Sequence, residues 1–186
     1  MSGSTEFILP FARGKTYKDG SSLTLAATTA DHLLGTVYKV IDTVHSTGKP
    51  MYLRIVRAAA AITSANAFYA FGTGALDLGR ELSGTVAGAG VICKPLDDAY
   101  TVGTVIAQYD LCYVVEEGPC NVVTEASSVS LSQGDAVASD GSGLVNGAAC
   151  AAAEYPVGTI DQASTTAGAT VVIHVNAGLA KPPAAG

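Results

Sequence analysis

The sequence contains no tryptophan, and only 14% of its residues are charged. Its 10 lysines and arginines are outnumbered by 16 acidic residues, which gives a formal net charge of −6. Proteins that neutralise nucleic-acid phosphates need clustered cations, and the densest cluster here is Arg13, Lys15 and Lys18. The charge therefore argues against a nucleic-acid partner. With 48% apolar residues, the chain is also too apolar to remain disordered.

Motifs for metal binding and catalysis are lacking as well. The three histidines do not have H-x-x-x-H or H-x-H spacing, and the cysteines include no C-x-x-C pair, although zinc sites need converging ligands of these kinds. No G-x-S-x-G segment marks a serine hydrolase. Gly14-Lys15-Thr16 lacks the glycine that a phosphate-binding loop requires five positions earlier. We therefore expect no catalytic residue, no metal and no cofactor.

Two local features leave alternatives open. The four cysteines are Cys93, Cys112, Cys120 and Cys150. Paired strands could join Cys112 to Cys120 in a disulfide, but we favour four reduced thiols that act as small core residues. The adjacent acids Asp97-Asp98 and Glu116-Glu117 point to opposite faces of a strand, and we predict that they are solvated turn charges. A glycosidase pair formed by distant carboxylates stays open.

Long hydrophobic runs are absent. The longest apolar runs, at Ala58 to Ile62 and Ala148 to Ala153, fall well short of the roughly 20 residues that span a bilayer. The N-terminus carries Glu6 and an apolar patch of only four residues, which is not the pattern of a signal peptide. We therefore expect synthesis in a cytoplasm and no membrane partner.

The chain does contain a series of short β-branched and aromatic runs separated by Gly, Pro, Asp and Ser. Thr36 to Ile41 and Met51 to Arg57 are predicted to form a first hairpin. Further strands are predicted to end at Phe71 and to cover Tyr100 to Ala107, Leu111 to Val115, Cys120 to Thr124, 154–161 and 170–175, with another apolar run after Gly134-Asp135. Turns at such short intervals predict an all-β fold, an antiparallel β-sandwich or barrel.

The remaining segments suggest the domain organisation. Residues 1–22 are predicted to form an extended N-terminal arm, because Pro10 and Gly14 interrupt any regular helix there. Residues 23–178 form the β-rich domain, either as one unit or as two β submodules divided near residues 90–108. Residues 179–186 form a flexible tail.

The arm carries the candidate partner-binding residues, which are Phe7, Ile8, Leu9 and Phe11. An apolar segment outside a core usually docks on another surface. That surface could belong to the arm's own domain or to a neighbouring subunit. We predict that these four side chains contact a neighbouring chain.

The central segment resembles a family of virion proteins. Tyr109 to Pro119, YDLCYVVEEGP, is similar to a segment of tailed-phage virion proteins. After it, motifs follow in the order found in phage capsid decoration (cement) proteins, at Gly134 to Val137, Gly141 to Gly143, Pro156 to Ile160 and Ala167 to Val175. Leu53 to Arg57 also resembles a strand of such proteins. The resemblance covers roughly residues 35–178.

This resemblance implies a structural protein without catalytic residues. Its expected partners are the major capsid protein and further copies of itself, in a homotrimer or another small ring. Its expected place is the capsid outer surface of the virion, where an acidic protein stays apart from packaged DNA. The alternatives are a head fibre or a host-surface or carbohydrate-binding β-module. A carbohydrate site would want exposed aromatic residues, yet tryptophan is absent and the eight tyrosines are dispersed.

Overall fold

The computed structural model describes residues 9–18, 33–45, 48–63, 66–71, 81–86, 93–101, 106–140, 142–151 and 156–176. Every regular element within these residues is a β-strand. The strands are β1 (Val37–Ile41), β2 (Pro50–Ala58), β3 (Phe68–Phe71), β4 (Glu81–Val86), β5 (Cys93–Pro95), β6 (Leu111–Val123), β7 (Ala136–Val137), β8 (Gly158–Ile160) and β9 (Thr170–Val175). The predicted all-β fold is confirmed.

The predicted first hairpin is present. β1 and β2 pair antiparallel, with Ile41 opposite Pro50 at the turn end. Met51, Leu53 and Ile55 are fully buried, because alternate residues of β2 point to the same face of the sheet. This hairpin is attached to the rest of the protein through β2, which also pairs with β4 and β6.

Five strands close into a barrel-like ring. Their neighbour order is β5, β3, β4, β2 and β6, and Leu96, the residue after β5, bridges Val114 of β6 to close the circuit. The β2–β4 contact is parallel, whereas β3 pairs antiparallel with both β4 and β5. Closure of the ring leaves these strands with fewer unpaired edges than an open sheet would have.

β6 connects this ring to a second sheet. It is a single strand of 13 residues, whereas the sequence predicted two runs separated by a break at Gly118-Pro119. The strand pairs with β2 as far as Glu117 and with β9 from Gly118 onward. Gly118 has a φ of +116°, and a Cβ there would lie 2.6 Å from the Cβ of Met51. The glycine therefore allows a change of pairing partner inside one strand.

The second sheet has the order β6, β9, β8 and β7. The predicted strand at 170–175 coincides with β9. Gly158 in β8 lies so close to β9 that a Cβ would overlap the carbonyl oxygen of His174. This glycine is thus required by the packing of the two strands.

The predicted strand at Tyr100 to Ala107 is wrong in the part that the structure describes. Tyr100 lies in a bend, Ile106 makes one isolated bridge to Ile62, and residues 102–105 lie outside the described residues. The Tyr100 hydroxyl is buried and bonds to two backbone groups. A buried hydroxyl needs such partners, and meeting that need overrides the strand propensity of Tyr100.

Candidate interaction site

The structure describes the second half of the predicted arm, from residue 9 to residue 18. Leu9 and Phe11 are half-buried there and pack against the core of their own chain. The sequence left two docking surfaces open, the arm's own domain and a neighbouring subunit. Leu9 and Phe11 dock on their own domain. Phe7 and Ile8 lie outside the described residues. Contact between the arm and a neighbouring chain stays a prediction.

Aromatic residues and backbone hydrogen bonds hold this half of the arm in place. The ring of Phe11 stacks on Tyr113 of β6, with centroids 4.3 Å apart, and the Tyr113 hydroxyl donates to the Phe11 carbonyl oxygen at 2.9 Å. Tyr17 pairs with Leu111 through two backbone hydrogen bonds of 3.0 and 2.9 Å. The Tyr100 hydroxyl donates to the carbonyl oxygen of Lys15 at 2.7 Å. Residues 9–18 of the arm therefore lie beside β6 as part of the folded body.

Burial keeps the two anchoring phenols neutral. It raises the pKa of Tyr100 and the pKa of Tyr113 above the usual tyrosine value, because a phenolate loses hydration inside the protein. Each hydroxyl therefore keeps the proton that it donates to the arm. The tyrosines act as hydrogen-bond donors that position the backbone.

Arg13 of the arm lies against the two buried carboxylates of Asp97 and Asp98. Its Nε donates to Asp97 Oδ2 at 3.0 Å, and its Nη2 donates to Asp97 Oδ1 at 2.5 Å and to Asp98 Oδ1 at 3.3 Å. The carboxylate side chains have no exposed surface. The prediction that Asp97 and Asp98 are solvated turn charges is wrong. A guanidinium from 84 residues away compensates for the hydration that they lose.

His45 extends this group of charges to the loop between β1 and β2. Its Nε2 lies 2.8 Å from Asp98 Oδ2, an ion-pair distance without the angle of a hydrogen bond. Its Nδ1 lies 3.1 Å from Asp42 Oδ1. The backbone N–H of Asn121 in β6 donates to Asp98 Oδ2 at 2.9 Å. We call Arg13, Asp42, His45, Asp97 and Asp98 the ion cluster.

The ion cluster affects the titration of its members. Burial raises the pKa of Asp98, and the neighbouring charge of Asp97 adds to this effect. Burial alone lowers the pKa of Arg13, but its hydrogen bond to Asp97 and the charges of Asp97 and Asp98 outweigh burial and raise it. The cluster joins the arm, the β1–β2 loop, the link between β5 and β6, and β6 itself. Its arrangement is that of a structural clamp.

The prediction of a solvated turn charge is also wrong for Glu116. It lies 2.8 Å from Arg54 Nε and 3.3 Å from Lys94 Nζ. Burial raises its pKa, but the charges of Lys94 and Arg54 outweigh burial and lower it overall. Glu116 therefore ties β6 to β2 and β5 as a half-buried carboxylate.

All four cysteines are free, as the favoured interpretation predicted. Cys112 and Cys120 stand eight positions apart on one strand, which separates them by about 25 Å of strand, far beyond the reach of a disulfide. Burial raises the pKa of Cys93 to about 11 and also raises the pKa of Cys112 and Cys120. These three thiols are core residues of low reactivity.

The described residues lack a metal-binding cluster and a helix that could cross a membrane. In that part of the chain, no group of three or more His, Cys, Asp and Glu side chains could hold a metal ion. Nor does any described helix have the length and apolarity to cross a membrane.

The segments that carry the virion-protein resemblance lie together in the structure. Tyr109 to Pro119 leads into and forms most of β6, Gly134-Asp135 precedes β7, and Pro156 to Ile160 and Ala167 to Val175 contain β8 and β9. These four strands are successive neighbours in the order β6, β9, β8 and β7. The motifs that contain β7, β8 and β9 pair with one another in the second sheet. The first motif pairs with β2 over residues 111–117 and reaches β9 only at Gly118 and Pro119.

Comparison with known proteins adds little. No protein-family model matches the chain, and no curated protein matches it. One similar solved structure is the crystal structure of the N base of head fiber gp8.5 in bacteriophage phi29, with 16% sequence identity and a TM-score of 0.41. The match covers 68% of this chain and 94% of the other. A similarity at this level carries no argument about function.

The sequence did not predict the residues that hold the arm. Arg13 stood out only as part of a sparse basic cluster. Nothing near Asp97 along the chain marked it as the partner of Arg13, and nothing near Tyr113 marked it as the partner of Phe11. A usable signal was Tyr113 within the apolar segment Leu111 to Val115, since a buried tyrosine needs a hydrogen-bond partner.

Proposed function

We propose that the protein is a structural component of a tailed-phage virion, which binds the outer surface of the capsid and stabilises the shell by bridging adjacent capsid subunits. The supporting observation is the placement of the resemblance motifs: those that contain β7, β8 and β9 pair in the second sheet, and the first motif meets β9 at Gly118 and Pro119. The described ionisable residues also fit this role. Arg13, Asp97 and Glu116 are engaged in internal pairs that stiffen the fold.

The proposed role requires buried area. A stable contact between two proteins buries about 1,600 Å² in total. A ligand that binds the assembled shell more tightly than free subunits stabilises the shell by mass action. The proposed partners are the major capsid protein and further copies of this chain, in a homotrimer or another small ring, with no nucleic acid and no membrane.

Capsids with and without the protein test this role. We expect stripped capsids to release their DNA at a lower temperature, or in milder denaturant, than decorated capsids. Adding the purified protein back should restore the original release temperature. Equal release temperatures for stripped and decorated capsids at the same ionic strength would contradict the proposal.

The arm's proposed contact with a neighbouring chain is tested by a short deletion. Removing residues 1–8 takes away Phe7 and Ile8 but keeps the described arm from residue 9 onward, including Arg13. We expect this variant to fold normally and to occupy fewer capsid sites. A deletion of residues 179–186 is the matched control, because it removes the same number of residues from the other terminus. Unchanged occupancy after the first deletion would contradict the contact.

A head fibre and a host-surface or carbohydrate-binding module are the alternatives. A head fibre would bind capsids without raising the temperature of DNA release. A carbohydrate-binding module would give a signal on a glycan array. Against the latter, Tyr17 is the aromatic residue among the exposed large hydrophobic residues of the described chain, and one tyrosine is a small platform for sugar stacking.

A further inference from the structure

Exposed apolar residues are concentrated at one place in the described part of the chain. Four large hydrophobic residues are exposed there, and three of them are Val37 (39%), Ile41 (56%) and Val44 (46%), within eight positions of one another. The fourth is Tyr17. Single exposed apolar residues are normal on a protein surface, but a contiguous group indicates an interaction site.

β1 holds this group on a rigid support. Val37, Lys39 and Ile41 are exposed on one side of the strand, whereas Tyr38 and Val40 on the other side pack against the core. Pairing with β2 places Arg54 opposite Val37, Tyr52 opposite Lys39 and Pro50 opposite Ile41. We call Val37, Lys39 and Ile41 the β1 face; Val44 is exposed in the loop that follows β1.

The charge of the β1 face differs from that of the whole protein. The chain has a net charge of −6, but Lys39 is exposed at the centre of the face. Arg54, which stands across from Val37, is already paired with Glu116. Complementary charge at an interface favours the correct partner and speeds encounter. A suitable partner surface is therefore apolar and carries carboxylates opposite Lys39.

We propose that the β1 face is the surface by which this protein docks on a capsid subunit whose contact region is apolar and acidic. This inference rests on the proposed function and adds the residues of the contact. Five residues of β1 and its neighbour β2 cover about 170 Å², whereas a standard interface takes about 800 Å² from each partner. The face is thus one contact among several, which suits a protein that binds an assembled lattice at more than one point.

A second copy of the chain fits this face less well. At about 170 Å² the face is too small to hold two copies together by itself. A two-fold symmetric contact centred on it would also bring the ammonium groups of two Lys39 side chains together. An assembled shell brings no second Lys39 to the face, and it offers further contacts that add to this small one.

The test compares two substitutions that each place a carboxylate at an exposed strand position. Ile41→Glu changes the β1 face, and Thr170→Glu is the control, because Thr170 is exposed at the start of β9 in the other sheet. Binding to stripped capsids is measured by co-sedimentation over a range of protein concentrations. Losing the burial of one isoleucine and facing acidic groups should raise the apparent Kd of Ile41→Glu by about tenfold or more. Thr170→Glu should bind like the unmodified protein.

A third variant tests the charge. Lys39→Gln should weaken binding and reduce its sensitivity to salt, because an attractive pair has been removed. If thermal melting shows that Ile41→Glu disturbs the fold, Ile41→Thr keeps the β-branched shape and should still bind more weakly than the control.

Three results would overturn the proposal in distinguishable ways. Equal capsid affinity for Ile41→Glu and Thr170→Glu would remove the β1 face from the contact while leaving the proposed function intact. If Ile41→Glu no longer forms the oligomer but still binds capsids, the β1 face joins copies of this chain. Failure of the unmodified protein to sediment with capsids would refute the proposed function, and the docking inference with it.

Discussion

Replacing Arg13 with alanine tests whether the ion cluster holds the arm on the body. The side chains of Asp97 and Asp98 are fully buried, and that of Arg13 is only 15% exposed. Removing one partner of a buried ion pair costs about 3–5 kcal/mol, and 1 kcal/mol shifts the melting temperature of a domain of this size by about 2–4 °C. We therefore expect Arg13→Ala to lower the melting temperature by roughly 10 °C at neutral pH.

The effect of Arg13→Ala should depend on pH in a specific direction. Burial already raises the pKa of Asp98 in the folded protein. A carboxyl group whose folded pKa is raised binds its proton more tightly in the folded state, so its unfavourable effect at neutral pH is relieved as the pH falls through that pKa. Without the guanidinium this pKa should rise further. The gap in melting temperature between the variant and the unmodified protein should then narrow on acidification.

Thermal unfolding followed by circular dichroism at several pH values measures both effects. Lys15→Ala is the matched control, because Lys15 is exposed on the same arm and contributes its backbone carbonyl, which alanine retains. Adding Asp97→Asn to Arg13→Ala should restore part of the lost stability, since one uncompensated charge disappears. If Arg13→Ala melts like Lys15→Ala at neutral pH, the arm is not held by these charges and the reasoning is wrong.

Three further predictions follow from the same contacts. Glu116→Gln should destabilise the protein by about 1 kcal/mol at neutral pH; because the folded pKa of Glu116 is lowered, this difference should disappear in urea titrations as the pH falls through that pKa. In the native protein Cys150 should be the cysteine that a thiol reagent modifies, whereas all four should react in denaturant without prior reduction, and two unreactive cysteines there would instead indicate a disulfide. Deleting residues 1–18 should lower the melting temperature at least as much as Arg13→Ala, while deleting residues 1–8 should leave it unchanged. Equal melting temperatures for the two deletions would show that the contacts of Phe11 and Arg13 with the body do not stabilise the fold.

The strands with a clear local pattern were predicted correctly. β2 alternates apolar residues at Met51, Leu53 and Ile55, all fully buried, and β9 is bounded by the turn at Ala167-Gly168. Alternation is a local property of a strand with one buried face, so the residues themselves carry it. The all-β class follows from the same kind of information.

β6 was predicted as two strands because glycine and proline usually interrupt a strand. Both faces of β6 are largely buried, so its residues show no alternation that would have linked the two halves. Whether Gly118 ends a strand or lets it change partners depends on how closely Met51 approaches. That approach is a contact between residues 67 positions apart, which a local pattern does not contain.

By itself, the sequence determined the class of the fold, the first hairpin and the last strand, because composition and short-range alternation decide these features. The tertiary structure alone decided that residues 9–18 of the arm lie on their own body and that the side chains of Asp97 and Asp98 are buried. These outcomes depend on pairs such as Arg13 with Asp97 and Phe11 with Tyr113, which stand 84 and 102 positions apart. A charge or an aromatic ring acquires its role from the partner that folding brings to it, and local sequence does not specify that partner.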